Sequence, residues 1–359
     1  MESQSEAQSS HNSSETTNVA VHGRDAATSP IVQGTCLKCS ILTTLRCPIC
    51  RLVYFCSKDC QKSKWKEHKL TCSSTVELRP SSTGGLGVFA RVDCEVGDEL
   101  IRERPLIRIP WTGGGNLMAL LGTKDEHVHS AVMNFTDIHN VPSTVDGIVR
   151  TNSVPLGCSS EEYGGGNVDA AIFPLTCRLN HSCVANARYV WRPDLGKELV
   201  FAQRPIMAGE EITVSYMGFP WDRGATRSLR SAHLMQVFKF VCTCEICSED
   251  EDEVKIRDAR RLEMKELMDQ VPTVAQSEPF RALRMSERVL MLLRQDGQLI
   301  PVETATVHYD ALQIAMACNK RERAKYHIAQ CVEMWKLCEG DGSPQMQKML
   351  YEQAMNRLA

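Results

Sequence analysis

Residues 178–186 read Arg-Leu-Asn-His-Ser-Cys-Val-Ala-Asn, a short polar stretch between two apolar runs that are typical of β-strands. The run before it is Ala-Ala-Ile-Phe at 170–173, and the run after it is Ala-Arg-Tyr-Val-Trp at 187–191. Asn, His, Ser and Cys in this position indicate side chains that make specific contacts instead of filling a core. Three further cysteines lie within residues 242–247, and together with Cys183 they would supply four thiolates for one zinc ion. We therefore expect a metal to hold this stretch against a segment far downstream.

The composition is that of an ordinary globular protein, with 359 residues, 43% hydrophobic and 24% charged. A formal net charge of -3 gives no global positive field for DNA or anionic membranes, and no apolar run approaches the length of a transmembrane helix. The N-terminus lacks the apolar core of a secretory signal, so the 17 cysteines indicate a reducing compartment and metal ligation instead of disulfides. We expect two or three domains, and neither a membrane nor a nucleic acid as partner.

Cysteines dominate the first part of the chain after a polar segment. Residues 1–30 are rich in Ser, Thr, Asn and Glu, which predicts a disordered tail.

Four pairs with metal-ligand spacing follow: Cys36 and Cys39, Cys47 and Cys50, Cys56 and Cys60, and His68 and Cys72. These eight ligands suffice for two tetrahedral zinc sites, and the absence of a secretory signal disfavours a disulfide knot. The i, i+4 spacing of the last two pairs predicts that each lies on one face of a helical turn. Because so short a segment has little core, zinc must stabilise its fold.

Strand-like runs separated by turns characterise residues 75–240, and a glycine-rich, polar insertion interrupts them at about 111–165. The character changes after the acidic run at 249–253, from which apolar residues recur at helical spacing. Four or five helices separated by short turns predict stacked helical hairpins over 251–359.

Two stretches carry a family resemblance. The polar stretch at 180–186 and the sequence Gly-Glu-Glu-Ile-Thr-Val-Ser-Tyr at 209–216 resemble the two signatures of SET-domain protein-lysine methyltransferases. Residues 36–72 resemble a MYND zinc finger, so the chain resembles the SET and MYND domain family, and in particular its arthropod-type members.

This resemblance, which covers about residues 36–250, and the helical spacing beyond it together imply an α+β fold class with four ordered parts. They are a zinc-bound MYND finger at 36–72, a β-rich SET domain at 75–240 with its insertion, a Cys-rich post-SET zinc segment at 241–250, and an all-α C-terminal domain at 251–359.

The resemblance further implies S-adenosylmethionine as a cofactor. The glycine-rich turn at 84–87 resembles the family's cofactor loop, and the sequence at 151–154 resembles a family Asn-Ser pair whose Asn contacts the cofactor. The implied cofactor-binding residues are Gly85, Leu86, Gly87, Asn152, Asn180, His181, Tyr216, Phe238 and Phe240. Among them Phe240 would stack on the adenine and Phe238 would help to line the substrate channel. Tyr216 is the implied catalytic residue, with its hydroxyl close to the amine and the methyl-bearing sulfur.

Three zinc ions are implied as well. In the family's finger the first and third pairs hold one ion and the second and fourth pairs hold the other, an assignment that spacing alone leaves open. The third ion would lie on Cys183 and the post-SET cysteines, although Cys183 could instead be a buried thiol. The predicted ligands are Cys36, Cys39, Cys47, Cys50, Cys56, Cys60, His68, Cys72, Cys183, Cys242, Cys244 and Cys247.

The implied activity is methylation of a lysine in a histone or non-histone protein substrate, in cytoplasm and nucleus, with a proline-rich peptide as partner of the finger. Three departures from the family pattern leave a second hypothesis open. Gly84 and Leu86 stand where polar or basic residues are expected, Arg178 precedes Leu179, and Ala185 replaces a proline. They favour a catalytically weak interaction protein that acts as a transcriptional corepressor or adaptor. Cofactor binding discriminates between the two hypotheses.

The finger and the cofactor site should be separable, because no proposed cofactor residue lies within residues 1–74. Removing these residues should leave the affinity for S-adenosylmethionine largely unchanged and should weaken partner binding. Calorimetry on the full and truncated chains measures the first effect. A folded truncated protein that no longer binds the cofactor would show that the finger completes the site.

Overall fold

The computed structural model describes residues 34–110, 122, 124, 126–140, 142–157, 169–217, 225–296 and 301–355. The predicted disordered tail at 1–30 lies outside the described residues, as do residues 111–121, 123, 125, 141 and 158–165 of the insertion. The described part is of the α+β class, with a cysteine-rich finger, a middle part built of small sheets and a helical C-terminal part.

The finger contains the strand pair β1, Gly34–Thr35, and β2, Leu42–Thr43, followed by helix α1, Lys58–His68. Ser57 caps this helix, and its hydroxyl accepts a hydrogen bond from the Cys60 N–H at 3.2 Å. Cys56 therefore precedes the cap and Cys72 follows the helix, so the prediction that the last two ligand pairs each share one helical face is wrong. The two ligands of each pair still lie close together, because the chain turns at both ends of α1.

Three sheets build the middle part. The first has the order β3, Val76–Pro80; β4, Leu86–Ala90; β12, Glu211–Val214; β9, Asn180–His181. The second has the order β10, Ala187–Arg192; β11, Lys197–Ala202; β5, Glu99–Glu103. The third has the order β6, Ile107–Ile109; β8, Ala170–Ile172; β7, Val154–Pro155. Most of these strands coincide with the Val-, Ile- and Phe-rich runs of the sequence. Side chains of the first two sheets share one core, and those of the third sheet pack in two neighbouring clusters.

The first sheet brings distant stretches to one edge. Strand β4 runs antiparallel to β12, whereas β9 runs parallel to β12 with Thr213 opposite Asn180 and Val214 opposite His181. The beginning of β4 and the ends of β9 and β12 therefore lie at the same edge. The glycine-rich turn, the polar 178–186 stretch and Tyr216 all meet there.

Helices flank this arrangement. In the described part of the insertion, α2, Glu126–Met133, and α3, Val145–Asn152, pack on the third sheet through Val132 and Ile148, both fully buried. Helix α4, Arg227–Phe238, begins at the cap residue Thr226 and ends at Lys239, whose left-handed backbone (φ 61°) turns the chain towards Phe240.

The C-terminal part consists of five helices within the described residues: α5, Glu251–Ser277; α6, Pro279–Gln295; α7, Pro301–Ala317; α8, Arg321–Glu339; α9, Pro344–Met355. Successive helices pack against one another as hairpins, in agreement with the sequence-based prediction. Asp250 begins the domain by capping α5 with its carboxylate, which accepts from the N–H groups of Asp252 and Glu253. Of the helices described, none combines the length and the apolar character needed to cross a membrane.

Two buried carboxylates face each other across the second sheet, since Glu198 of β11 lies opposite Glu103 of β5. Glu103 accepts hydrogen bonds from the Leu175 and Thr176 N–H groups at 2.9 and 2.6 Å, which holds the segment leading into the 178–186 stretch. Burial nevertheless raises the pKa of Glu103 to about 7, and burial and the neighbouring Glu103 raise the pKa of Glu198 well above its usual value.

This pair predicts a pH-dependent stability. Both folded pKa values are raised, so the folded state binds more protons than the unfolded state between about pH 4.5 and 7. Stability should therefore fall as the pH rises through this window. Glu198→Gln should flatten this dependence and raise the unfolding midpoint at pH 8 by about 1–2 °C, the scale of 1 kcal/mol for a chain of this size. Thermal unfolding at pH 6 and pH 8 measures both effects.

Glu99→Gln is the matched control, because Glu99 lies on the same strand as Glu103 but is exposed and paired with Arg102. It should leave the pH dependence unchanged. Equal slopes for the wild type and Glu198→Gln would contradict the assignment.

Candidate functional site

The glycine-rich turn at the sheet edge needs glycine at several positions. Gly84 and Gly85 have φ angles of 103° and 68°, in the left-handed region that other residues rarely adopt. A Cβ at either position would meet open space, so the turn presents bare backbone to its surroundings. Gly87 makes room for a neighbour, because a Cβ there would overlap the Glu211 carboxylate and displace it.

Asn180 lies directly beside this turn. Its amide nitrogen donates to Glu211 Oε1 at 2.7 Å and to the Leu86 carbonyl at 3.4 Å, and the other Glu211 oxygen accepts from the Ser81 hydroxyl at 2.9 Å. Glu211 thus joins Asn180 to the turn that contains Gly85 and Gly87. With its nitrogen engaged in this way, Asn180 offers its side-chain oxygen to a ligand at this edge.

Asn186 fixes the end of the polar stretch. It is only 1% exposed, and its amide nitrogen donates to the Glu211 carbonyl at 2.8 Å while its oxygen accepts from the Thr213 N–H at 2.7 Å. The side chain therefore takes the place of a neighbouring strand, because it pairs with two backbone groups of β12, the Glu211 carbonyl and the Thr213 N–H. Its amide also donates to the Glu210 carboxylate at 3.0 Å.

Tyr216 stands at the centre of an aromatic group. Its ring centroid lies 5.0 Å from that of Phe238, 6.3 Å from that of Phe240 and 5.3 Å from that of His181. The hydroxyl donates to the Leu179 carbonyl at 2.8 Å. Burial raises the pKa of the Tyr216 hydroxyl, so it stays protonated at neutral pH.

Asn152 is positioned at the end of α3. Its amide nitrogen donates to the carbonyls of Thr136 and Ile148, each at 2.7 Å, so both donor hydrogens are used within the insertion. A ligand contact at Asn152 would therefore run through its Oδ1.

These groups fit the chemistry of S-adenosylmethionine. A turn free of Cβ atoms allows close backbone approach, Asn180 offers an acceptor, and Phe238 and Phe240 are half-buried rings on which an adenine could stack. The structure thus gathers Gly85, Leu86, Gly87, Asn180, His181, Tyr216, Phe238 and Phe240 around one sheet edge. The contribution of Asn152 to this site stays a prediction.

The finger brings its ligands together in two groups. Cys36, Cys39, Cys56 and Cys60 form one, and Cys47, Cys50, His68 and Cys72 form the other, with ligand atoms within 4.8 Å of one another. Sulfur–sulfur distances such as 3.4 Å for Cys39–Cys56 and 3.8 Å for Cys47–Cys72 are close to the value of about 3.8 Å expected between thiolates on a tetrahedral zinc ion. The grouping is the interleaved one that the resemblance implied.

The third group is Cys183 with Cys242, Cys244 and Cys247. Cys183 Sγ lies 3.9 Å from Cys242 Sγ and 3.7 Å from Cys247 Sγ, again a spacing that fits zinc. Four thiolates on one zinc ion carry a net negative charge. Arg230, only 1% exposed, offsets part of it, because its guanidinium lies 3.9 Å from Cys247 Sγ and donates to the Ala225 carbonyl at 2.7 Å.

Sequence reasoning assigned no role to Glu211, Asn186 or Arg230. Glu211 and Asn186 lie in the two signature stretches, but the sequence does not show which groups their side chains contact. Arg230 lies on a helix whose sequence shows no metal-ligand spacing, and only the folded chain brings its guanidinium to the thiolates.

Elemental analysis tests the metal assignment. The intact chain should contain three zinc ions, and Cys183→Ala should contain two, with loss of order near Phe240, because Cys183 closes the third group. Cys318→Ala removes a half-buried thiol that belongs to none of the three groups and should keep three ions. Two or fewer zinc ions in the intact chain would contradict the assignment.

Comparisons with known proteins agree with this architecture. The SET domain family model matches residues 26–217. Histone-lysine N-methyltransferase set5 of Schizosaccharomyces pombe is 31% identical over 189 residues, which cover 52% of this chain and 54% of that protein.

Histone-lysine N-methyltransferase SMYD3 of Mus musculus is 29% identical over 224 residues, 58% of this chain and 50% of that protein. The SET domain and MYND-type zinc finger protein 6 of S. pombe is 28% identical over 226 residues, 60% of this chain and 44% of that protein. The chain thus spans about half the length of these relatives. With a matched SET region and a finger that gathers two four-ligand groups, the chain belongs to the SET-domain family, in its SET and MYND domain branch.

Proposed function

We propose that the chain is an S-adenosylmethionine-dependent protein-lysine N-methyltransferase. The observation that carries the proposal is the placement of Tyr216 beside Phe238 and Phe240, at the sheet edge that also holds the glycine-rich turn and Asn180. When bound, S-adenosylmethionine would supply a methyl group carried on a sulfonium. Asn180, His181 and the turn at 84–87 would hold it, and Phe240 would stack on its adenine.

Tyr216 would orient the substrate amine. Its O–H donates to the Leu179 carbonyl at 2.8 Å, so the lone pairs on the phenolic oxygen are the groups left to face a substrate. They accept a hydrogen bond from the amine N–H and thereby aim the nitrogen lone pair away from the ring. Since burial raises the pKa of Tyr216, the hydroxyl acts as an orienting group and not as a phenolate base.

The aromatic surroundings would favour the reactive form of the lysine. A free lysine has a pKa of about 10.4 and is mostly protonated at neutral pH. The rings of Tyr216, Phe238 and Phe240 would offer little solvation to an ammonium group beside a positive sulfonium, which would lower the pKa of a lysine that enters. The remaining acceleration would come from alignment of the two reactants. The contact between His181 and Cys183 at this site involves a predicted zinc ligand, so we propose no covalent catalysis.

The three departures from the family pattern fit their surroundings in different ways. Gly84 adopts a φ of 103° that suits glycine, and the Arg178 guanidinium lies 4.0 Å from the ring centroid of Phe135 and donates to the Asn134 carbonyl at 3.1 Å. Ala185 is buried at 8% exposure. Because Asn180 still contacts the glycine-rich turn and Tyr216 still lies among the aromatic rings, we favour the enzyme over the catalytically weak corepressor or adaptor.

The partners proposed are a protein substrate that carries the target lysine and a proline-rich peptide at the finger. Six exposed apolar side chains on the finger support the proposal of a proline-rich peptide, because clustered apolar side chains on a surface commonly mark an interaction site. These are Leu37, Ile41, Leu42, Leu45, Ile49 and Leu52, with exposures between 44% and 68%.

Tyr216→Phe tests the catalytic assignment, because it keeps the ring and deletes the hydroxyl. Turnover should fall by about one hundredfold or more, the scale of losing a positioned polar group at a reaction centre. Cofactor affinity should change little, whereas Asn180→Ala should weaken cofactor binding first. Methyl transfer from labelled S-adenosylmethionine to a lysine-rich protein mixture, with calorimetry in parallel, measures both quantities.

Tyr351→Phe is the matched control, since Tyr351 is 65% exposed on the last helix and should tolerate the change. An active wild type whose rate equals that of Tyr216→Phe would show that the catalytic assignment is wrong. A zinc-loaded wild type that binds no cofactor would favour the corepressor or adaptor.

A further inference from the structure

The tautomer of His181 follows from its hydrogen bond to Tyr216. The backbone N–H of Tyr216 points at His181 Nδ1 over 3.0 Å. A backbone N–H only donates, so Nδ1 must accept and cannot carry a proton. The ring proton therefore resides on Nε2.

The protonated nitrogen faces a metal ligand. Nε2 of His181 lies 3.3 Å from Cys183 Sγ, which belongs to the third cysteine group with Cys242 and Cys247. On a zinc ion Cys183 is a thiolate, and a thiolate accepts from N–H donors. His181 is only 8% exposed, so this N–H has little access to water. The imidazole thus bridges a metal ligand on one side and the backbone of Tyr216 on the other.

We infer that His181 is a positioning residue that couples the third zinc centre to Tyr216, an inference that rests on the proposed function. Through Nε2 it stabilises the thiolate of Cys183, and through Nδ1 it holds the Tyr216 backbone. Groups that donate to metal ligands commonly change metal affinity or activity by about ten- to a hundredfold when they are removed. Occupancy of the third zinc centre would therefore set the position of the catalytic hydroxyl.

Packing alone does not require an imidazole here. Strand β9 is held to β12 by backbone pairing and by the Ser182 N–H, which donates to the Val214 carbonyl at 3.1 Å. The ring of His181 also packs near Tyr216 and Phe240, with centroids 5.3 and 5.9 Å away, a role that any flat ring could fill. The two hydrogen bonds are what distinguish histidine from phenylalanine at this position.

Two substitutions in the full chain separate the two hydrogen bonds. His181→Asn keeps a carbonyl acceptor near the position of Nδ1 but has no donor that reaches Cys183. His181→Gln places an amide donor near the position of Nε2 but offers no acceptor at Nδ1. His181→Phe removes both hydrogen bonds and keeps a ring.

Two readouts that do not depend on activity follow the two bonds. The first is the rate at which the third zinc ion is released to a chelator, which should rise about ten- to a hundredfold in His181→Asn and little in His181→Gln. The second is hydrogen–deuterium exchange of the Tyr216 amide, which should be about tenfold faster in His181→Gln and nearly unchanged in His181→Asn. His181→Phe should change both. The two zinc ions of the finger serve as an internal control for folding.

The opposite pattern would overturn the inference. If zinc release were as slow in His181→Asn as in the wild type, His181 would not stabilise the Cys183 thiolate. If exchange of the Tyr216 amide were unchanged in His181→Gln, His181 would not hold the Tyr216 backbone. A wild-type chain that transfers no methyl group would instead overturn the proposed function. The chelator and exchange measurements would still decide the role of His181 in that case.

Discussion

The site depends on one buried amide. Asn186, at 1% exposure, satisfies the Glu211 carbonyl and the Thr213 N–H of β12 with the two ends of its side chain. Without these bonds the backbone groups of β12 would be buried and unpaired on this side, at a cost of about 1–3 kcal/mol each. The same two bonds fix the loop after Cys183 against the strand that leads to Tyr216. Together with the backbone pairing of β9 and β12, this attachment sets the positions of Asn180, His181 and Cys183 relative to the tyrosine.

The third cysteine group extends this constraint into the helical part of the chain. Arg230 of α4 reaches both Cys247 and the carboxylate of Asp258 on α5, at 3.9 Å in each case. The neighbouring Arg227 N–H donates to the same carboxylate at 2.9 Å. The helical domain is therefore anchored close to the thiolates, and its first long helix begins within a few residues of the last ligand. Strand pairing, thiolates and helix packing form one continuous network around the site.

Much of this architecture could be predicted from the sequence because its signals are local. The cysteine pairs of the finger differ from chance through their spacing alone, and the runs at 170–173 and 187–191 overlap strands β8 and β10. The ends of α1 could not be predicted, since they depend on Ser57 capping the helix and not on the ligand spacing. The partner of Asn180 could not be predicted either, because Glu211 reaches it only after β4, β12 and β9 have aligned. Arg230 escaped prediction for the same reason.

The placement of the metal ligands along the chain has a consequence for biosynthesis. All eight ligands of the finger lie within residues 36–72, so the finger can close on its metal as soon as this segment leaves the ribosome. The third group joins Cys183 to Cys242 across 59 positions, and it lacks a ligand until Cys247 has been made. The candidate site can thus be completed only after the sheets that carry it have been made, and the five C-terminal helices follow. A nascent chain halted before residue 247 would hold a complete finger beside an unfinished site.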